Sequence, residues 1–158
     1  MIELHERIAA QLGAIPTKKL GTDGGGTPEV TRTLSQMGKS LKYVVFTSAG
    51  AISDSSGWFF DVTWLHSVKK PFVNRAILAA KTEMGSNLAI LDDFQKLAAA
   101  RFDYRVMVFQ QKNNDLVESV FGLLEEQVAA YTQTQPGDRY LLAGWAADEH
   151  RFLFKEFT

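Results

Sequence analysis

Asp61, Lys81, Glu83 and Lys96 are the residues of this chain whose types and spacing could do chemistry. The stretch from Trp58 to Leu65 reads as one strand, Ala76 to Glu83 as the next, and Leu88 to Arg101 as a helix. Residues two apart on a strand share a face, so Lys81 and Glu83 project the same way. Asp61 is read near the C-terminal part of its strand, where pairing with the neighbour would bring it within reach of Glu83. Two carboxylates so placed, with a backbone carbonyl, water and phosphate oxygens, suffice for a hard cation such as Mg²⁺. The cation would acidify water and neutralise charge on a five-coordinate phosphorus, while a lysine orients the water or holds the developing charge. That chemistry is phosphodiester cleavage. The same residues also satisfy a simpler arrangement: a Lys81–Glu83 ion pair on a strand surface, with Asp61 starting a turn.

The elements that must position these residues follow from pattern. Leu4, Ile8 and Leu12 share a helical face over Ile2 to Leu12, and Gly13 ends that helix. Ala14 to Gly26, with Pro16, Gly21 and the run Gly24-Gly25-Gly26, reads as a mobile connection. Thr27-Pro28-Glu29 has the hydroxyl cap, proline and early acid of a helix start, and Val30, Leu34, Met37 and Leu41 supply its apolar face. Tyr43-Val44-Val45-Phe46 is a short buried strand within Lys42 to Ser48, and Ala49 to Gly57 is a loop. After the two strands already named, which flank a turn around Lys69-Lys70-Pro71, Met84 to Asn87 offers a cap to the helix carrying Leu88, Leu91, Phe94, Leu97 and Ala98. Arg105 to Gln110 is a further buried strand, and Asn114 to Tyr131 a second long helix stopped by Gln135-Pro136-Gly137-Asp138. Arg139 to Trp145 and Arg151 to Phe157 pair as antiparallel strands around Ala147 to His150. The succession implies an α/β fold, a mixed sheet with helices on its faces.

With 158 residues the chain is read as one domain, 1–158, divided into 1–27, a motif-bearing core 28–112, and 113–158. Hydrophobic residues at 46% with no apolar run near membrane-spanning length exclude a membrane span. The N-terminus lacks a signal-peptide core and the chain has no cysteine, so the expectation is a cytoplasmic protein without disulfides or thiolate metal sites. Net charge is −1, but Lys39 to Lys112 holds ten basic and six acidic residues, a balance of +4 within an acidic frame. A basic middle is compatible with a phosphate-binding face.

Other motifs fail on context. Thr33 to Ser40 has P-loop spacing apart from its leading residue, yet Gly38-Lys39-Ser40 closes a helix before a strand instead of opening one after a strand. No Gly-x-Ser-x-Gly elbow is present, and His5, His66 and His150 share no metal or triad spacing, so all three read as surface or boundary residues.

Taken in order, Phe59-Phe60-Asp61-Val62-Thr63-Trp64-Leu65, Leu78-Ala79-Ala80-Lys81-Thr82-Glu83-Met84-Gly85, Asp92-Asp93-Phe94-Gln95-Lys96-Leu97 with Arg101, and Val106-Met107-Val108-Phe109 resemble the restriction-endonuclease-like, or PD-(D/E)XK, nuclease superfamily. The similarity is to a bacterial branch whose second strand ends in acid, any residue, acid, aromatic, glycine, and whose next helix carries Asp-Phe-x-Lys-Leu. It covers about residues 28–112. The resemblance implies a three-layer core, a central mixed sheet flanked by helices, with the C-terminal strand pair as its continuation. It also implies one or two Mg²⁺ or Mn²⁺ ions, DNA as the partner, and a homodimer. Asp61 would be the first metal ligand, Glu83 the second acid, Glu29 a further acid from the preceding helix, and Lys96 the lysine displaced onto the helix beside Asp93. The departures are Met84 in place of the aromatic and Lys81 in place of a ligating acid. Lys81 either takes the lysine role on a swapped strand, leaving a metal-dependent nuclease, or weakens metal binding and leaves a catalytically degenerate module that binds nucleic acid or protein.

Overall fold

The computed structural model describes residues 3–20, 26–48, 55–56 and 59–158. Five helices and seven strands are described: α1 (Leu4–Gly13), α2 (Thr17–Leu20), α3 (Gly26–Ser40), β1 (Val44–Thr47), β2 (Ser55–Ser56), β3 (Val62–His66), β4 (Arg75–Glu83), α4 (Asn87–Ala99), β5 (Tyr104–Gln111), α5 (Asn114–Ala130), β6 (Arg139–Ala146) and β7 (Arg151–Phe157). The strands form one mixed sheet in the order β2-β1-β3-β4-β5-β6-β7. β3 runs antiparallel to both β1 and β4, β4, β5 and β6 are mutually parallel, and β7 returns antiparallel to β6. The expected α/β class and the C-terminal antiparallel pair are both present. No helix among the described residues is long and apolar enough to cross a membrane.

Strand alternation divides the apolar residues between two layers. Leu78, Ala80, Val106, Val108, Leu141 and Ala143 pack with Ile8, Leu12, Val30 and Leu34 of α1 and α3. Ala79, Met107, Phe109, Tyr140 and Leu142 pack with Phe94 and Leu97 of α4 and with Val117, Phe121 and Leu124 of α5. Helices α4 and α5 start at side-chain caps, Ser86 accepting from Ala89 N at 3.2 Å and Asn113 from Leu116 N at 3.0 Å. They are also the crossovers that parallel pairing demands, α4 joining β4 to β5 and α5 joining β5 to β6.

Several expectations are corrected. The connection at Ala14 to Gly26 is packed where described: α2 forms within it, and Ile15 and Leu20 are buried in the layer under α1 and α3. Two apolar residues suffice to anchor so short a segment, and glycine-rich surroundings hide them. Gly24 and Gly25 of the glycine run lie outside the described residues, while Gly26 already begins α3. Within the expected loop Ala49 to Gly57, Ser55–Ser56 pairs parallel to β1; the rest lies outside the described residues. The third strand starts at Val62. Trp58 lies outside the described residues, Phe59 is exposed, and Phe60 packs against Phe102 in the α4 layer whereas Val62, two residues on, packs in the α1 and α3 layer, so the alternation that would extend the strand is broken. Asp61 therefore opens β3 and does not lie near its C-terminal end.

The P-loop-like segment has a packing explanation. A Cβ on Gly38 would stand 2.5 Å from Nε1 of the buried Trp64, whose indole donates to Leu34 O at 3.1 Å. The glycine lets α3 lie flat on β3.

Candidate functional site

The start of β3 lies beside the end of β4. Asp61 N donates to Ala80 O at 3.0 Å, Asp61 Oδ2 accepts from Thr82 N at 2.6 Å, and Val62 is opposite Ala80 in the ladder. Alternation on β4 sends Ala80 into the α1 and α3 layer and Lys81 to the α4 side. There the Lys81 ammonium lies 3.6 Å from Asp61 Oδ1 and 3.5 Å from Asp93 Oδ1, all three side chains being largely buried. Asp93 is presented by the middle of α4, whose position is fixed by Ile90, Phe94 and Leu97 in the core. Lys96, one turn on, lies 3.0 Å from both Asp93 Oδ1 and Asp92 Oδ2. The hydrogen bonds it donates to Asp93 and then Asp92 hold the exposed Lys96 ammonium above the usual lysine range.

The result is a charge chain, Asp61–Lys81–Asp93–Lys96, running from sheet to helix. Three of the four residues named at the start belong to it. Glu83 does not pair with Lys81: its Oε1 turns to the following bend and accepts from Gly85 N at 2.7 Å. Glu29 is paired with Lys19 of α2 at 3.7 Å and lines a groove with Glu6, Arg7 and Gln36. The N-terminus of α3 does approach the end of β4, since a Cβ on Gly26 would come within 3.0 Å of Met84 Cε. Asp93, expected only beside Lys96, is the residue that sequence reasoning undervalued. Its signal was the buried position at helical spacing from Ile90 and Leu97.

A divalent cation does not fit these donors as they stand. Among the described residues no group of three or more His, Cys, Asp or Glu side chains converges. The position between Asp61 and Asp93, where a cation would join the carboxylates, is taken by an ammonium. Both Asp61 oxygens are engaged, Oδ2 by Thr82 N and Oδ1 by Lys81 with Ser48 Oγ at 3.4 Å. What the arrangement does is set one ammonium against two largely buried carboxylates, Asp61 beside the end of β4 and Asp93 on α4.

Of the histidines, His150 is exposed and His66 bonds Asn74 at 3.0 Å, as boundary residues would. His5 departs from expectation. It is fully buried under β7, with Nδ1 2.6 Å from Glu156 Oε1. Compared with known proteins, the chain matches no protein-family model, no curated protein and no solved structure.

Proposed function

We propose that the chain is a nuclease-like α/β domain in which Lys81 holds the position of the metal, and that it acts on nucleic acid by binding it without cutting it. The ammonium between Asp61 and Asp93 carries this reading. One ammonium offsets the carboxylates but offers no coordination position, so it can neither acidify water nor bridge to a scissile phosphate. The frame supports the nuclease-like part. The order strand, strand, helix, strand that carried the resemblance corresponds to β3, β4, α4 and β5, with β3 and β4 adjacent and antiparallel, and α4 crossing over to a parallel β5. An acid opens β3 beside the end of β4, where the restriction-endonuclease-like pattern requires one.

A second reading, an active Mg²⁺- or Mn²⁺-dependent DNA nuclease with Lys81 in the lysine role, has one observation in its favour. Asp61, Glu83, Asp92 and Asp93 against Lys81 and Lys96 leave a local charge of −2, which one divalent ion would cancel.

One experiment separates them. Supercoiled plasmid and end-labelled single- and double-stranded oligonucleotides are incubated with the protein and Mg²⁺ or Mn²⁺, with mobility shifts run in parallel. Shifted but intact substrate is the expected result. Cleavage that Asp61→Ala abolishes would overturn the binding-only reading and establish the second.

A further inference from the structure

Beyond the charge chain, the two ends of the β3–β4 pair differ in sign. The end carrying Asp61, Glu83, Asp92 and Asp93 repels a phosphodiester. At the other end, roughly 16 Å away along the five residues of β3, the chain turns through Ser67 to Asn74. That turn contains no acid, and Lys69 and Lys70 have no ion partner among the described residues. Val68, Phe72 and Val73 are 79%, 67% and 50% exposed beside them. Such a cluster is unusual on a tip that is nonetheless well fixed. Phe72 N donates to Lys69 O at 2.9 Å, Ser67 Oγ to Phe72 O at 2.7 Å, and Asn74 N to His66 O at 3.1 Å. Exposed Lys42 and Arg75 flank the turn, and the nearby acids Asp103 and Glu3 are already paired with Arg75 and Arg139.

Resting on the nucleic-acid reading above, we infer that the β3–β4 hairpin tip is the binding surface and that its occupant is a single strand. Lys69 and Lys70 contact successive phosphates, and Phe72, with Val68 and Val73 around it, offers a face on which an unpaired base stacks. The charge complementarity and the exposed aromatic select this occupant: a duplex hides its base faces, whereas single strands are held by this pairing of cations and aromatic platforms. The tip's internal hydrogen bonds mean that little ordering accompanies binding.

The test is fluorescence anisotropy with a labelled 20-mer of deoxythymidine, the corresponding RNA, and a 20-base-pair duplex. The wild-type chain is expected to bind the single strands more tightly than the duplex. Phe72→Ala should weaken single-strand binding about tenfold, in line with the loss of one stacked base. Lys69→Gln with Lys70→Gln should lower the slope of log K against log salt by about 1.4. All of these lie on an exposed turn, and unchanged thermal unfolding verifies that they fold. Wild-type affinity in the hairpin variants would overturn this surface while leaving a nucleic-acid-binding module in place. No binding of any oligonucleotide by the wild-type chain would overturn the module reading itself. Binding instead to vesicles of phosphatidylcholine with 30% phosphatidylserine, lost in the hairpin variants, would overturn the nucleic-acid occupant in favour of a membrane surface.

Discussion

The ammonium of Lys81 and the carboxylate of Asp61 face each other at 3.6 Å across adjacent antiparallel strands, at the edge where β4 hands the chain to α4. Neither residue is free to leave cheaply. Asp61 is tied to the backbone by Thr82 N, and Lys81 is held on its other side by Asp93. A lysine in this position does for folding what a cation would do, since two largely buried carboxylates on one side of the sheet need a positive charge between them.

Replacing that lysine by an acid should therefore create a demand for metal. In Lys81→Glu, three carboxylates would converge where the wild type has two and an ammonium. The variant is expected to unfold at a lower temperature in EDTA and to recover with Mn²⁺. A ligand at a hundredfold its Kd adds about 2.7 kcal/mol, worth roughly 5–10 °C in Tm for a chain of this size. The wild type should gain nothing under the same titration. An equal Mn²⁺-induced rise in both proteins would show that Lys81 does not stand in for a cation.

Two glycine substitutions in helices should move stability in opposite directions. At Gly38 a methyl group meets the Trp64 indole at 2.5 Å, so Gly38→Ala must displace a buried ring and its bond to Leu34 O. The overpacking, about 1–3 kcal/mol, exceeds the gain of about 1 kcal/mol in helix propensity. At Gly122 of α5 nothing lies within 4 Å of the added Cβ, so Gly122→Ala should stabilise by up to about 1 kcal/mol. Urea unfolding measures both. A stabilised Gly38→Ala would mean that Trp64 yields easily and that the glycine has some other purpose.

How much of this was legible depended on whether the cause was local. The helices carrying Phe94 and Leu97, and Val120 and Leu124, repeat apolar residues every three or four positions, and a period survives in sequence whatever it packs against. The β6–β7 pair was legible for a similar reason, two β-favouring runs around one polar turn. Asp61 as the opener of β3 was not, because Phe59 and Phe60 are both strand-favouring residues. Only tertiary packing decides that one faces solvent and the other meets Phe102. The Lys81–Asp93 contact crosses from a strand to the following helix and has no spacing rule behind it. The partner of His5 is 151 residues away in β7, although His5 does lie at helical spacing from Ile8 and Leu12 on the buried face of α1.

Arg105 should be the most costly single truncation among the charged residues. It is 1% exposed. Its Nε donates to Leu97 O and Ala100 O at 3.1 Å, and its Nη2 to Ala100 O at 2.7 Å and Asp138 Oδ1 at 3.3 Å. It thus gives Ala100 O its donor and Leu97 O a second one beside Ala100 N, and ties the C-terminus of α4 to the turn before β6, with the guanidinium lying over Tyr140. Arg105→Ala is expected to cost about 3–5 kcal/mol by leaving Ala100 O and Asp138 Oδ1 without their donor and the buried pair with Asp138 broken. Arg105→Lys keeps the charge but loses the planar fork, and should recover less than half of the loss in urea unfolding. Full recovery by lysine would show that charge alone matters there.

His5 gives the fold an acid-sensitive seam between α1 and β7. Burial pushes its imidazole below the ordinary value of 6.5, more strongly than the hydrogen bond to Glu156 raises it. Its Nε2 is buried without a partner, so a second proton would enter a position with no acceptor. Well above pH 6.5 the ring is neutral in the folded and unfolded chain alike, and its contribution is complete. As pH falls through 6.5, the unfolded chain takes up a proton that the folded chain resists, so stability falls, by at most about 1.4 kcal/mol per pH unit. Urea unfolding at pH 7.5, 6.5 and 5.5 should show this slope in the wild type. His5→Phe, which keeps the edge-on ring contact with Tyr104, should lose that part of it. Identical slopes in the two proteins would mean that His5 protonates as readily in the folded chain as in the unfolded one.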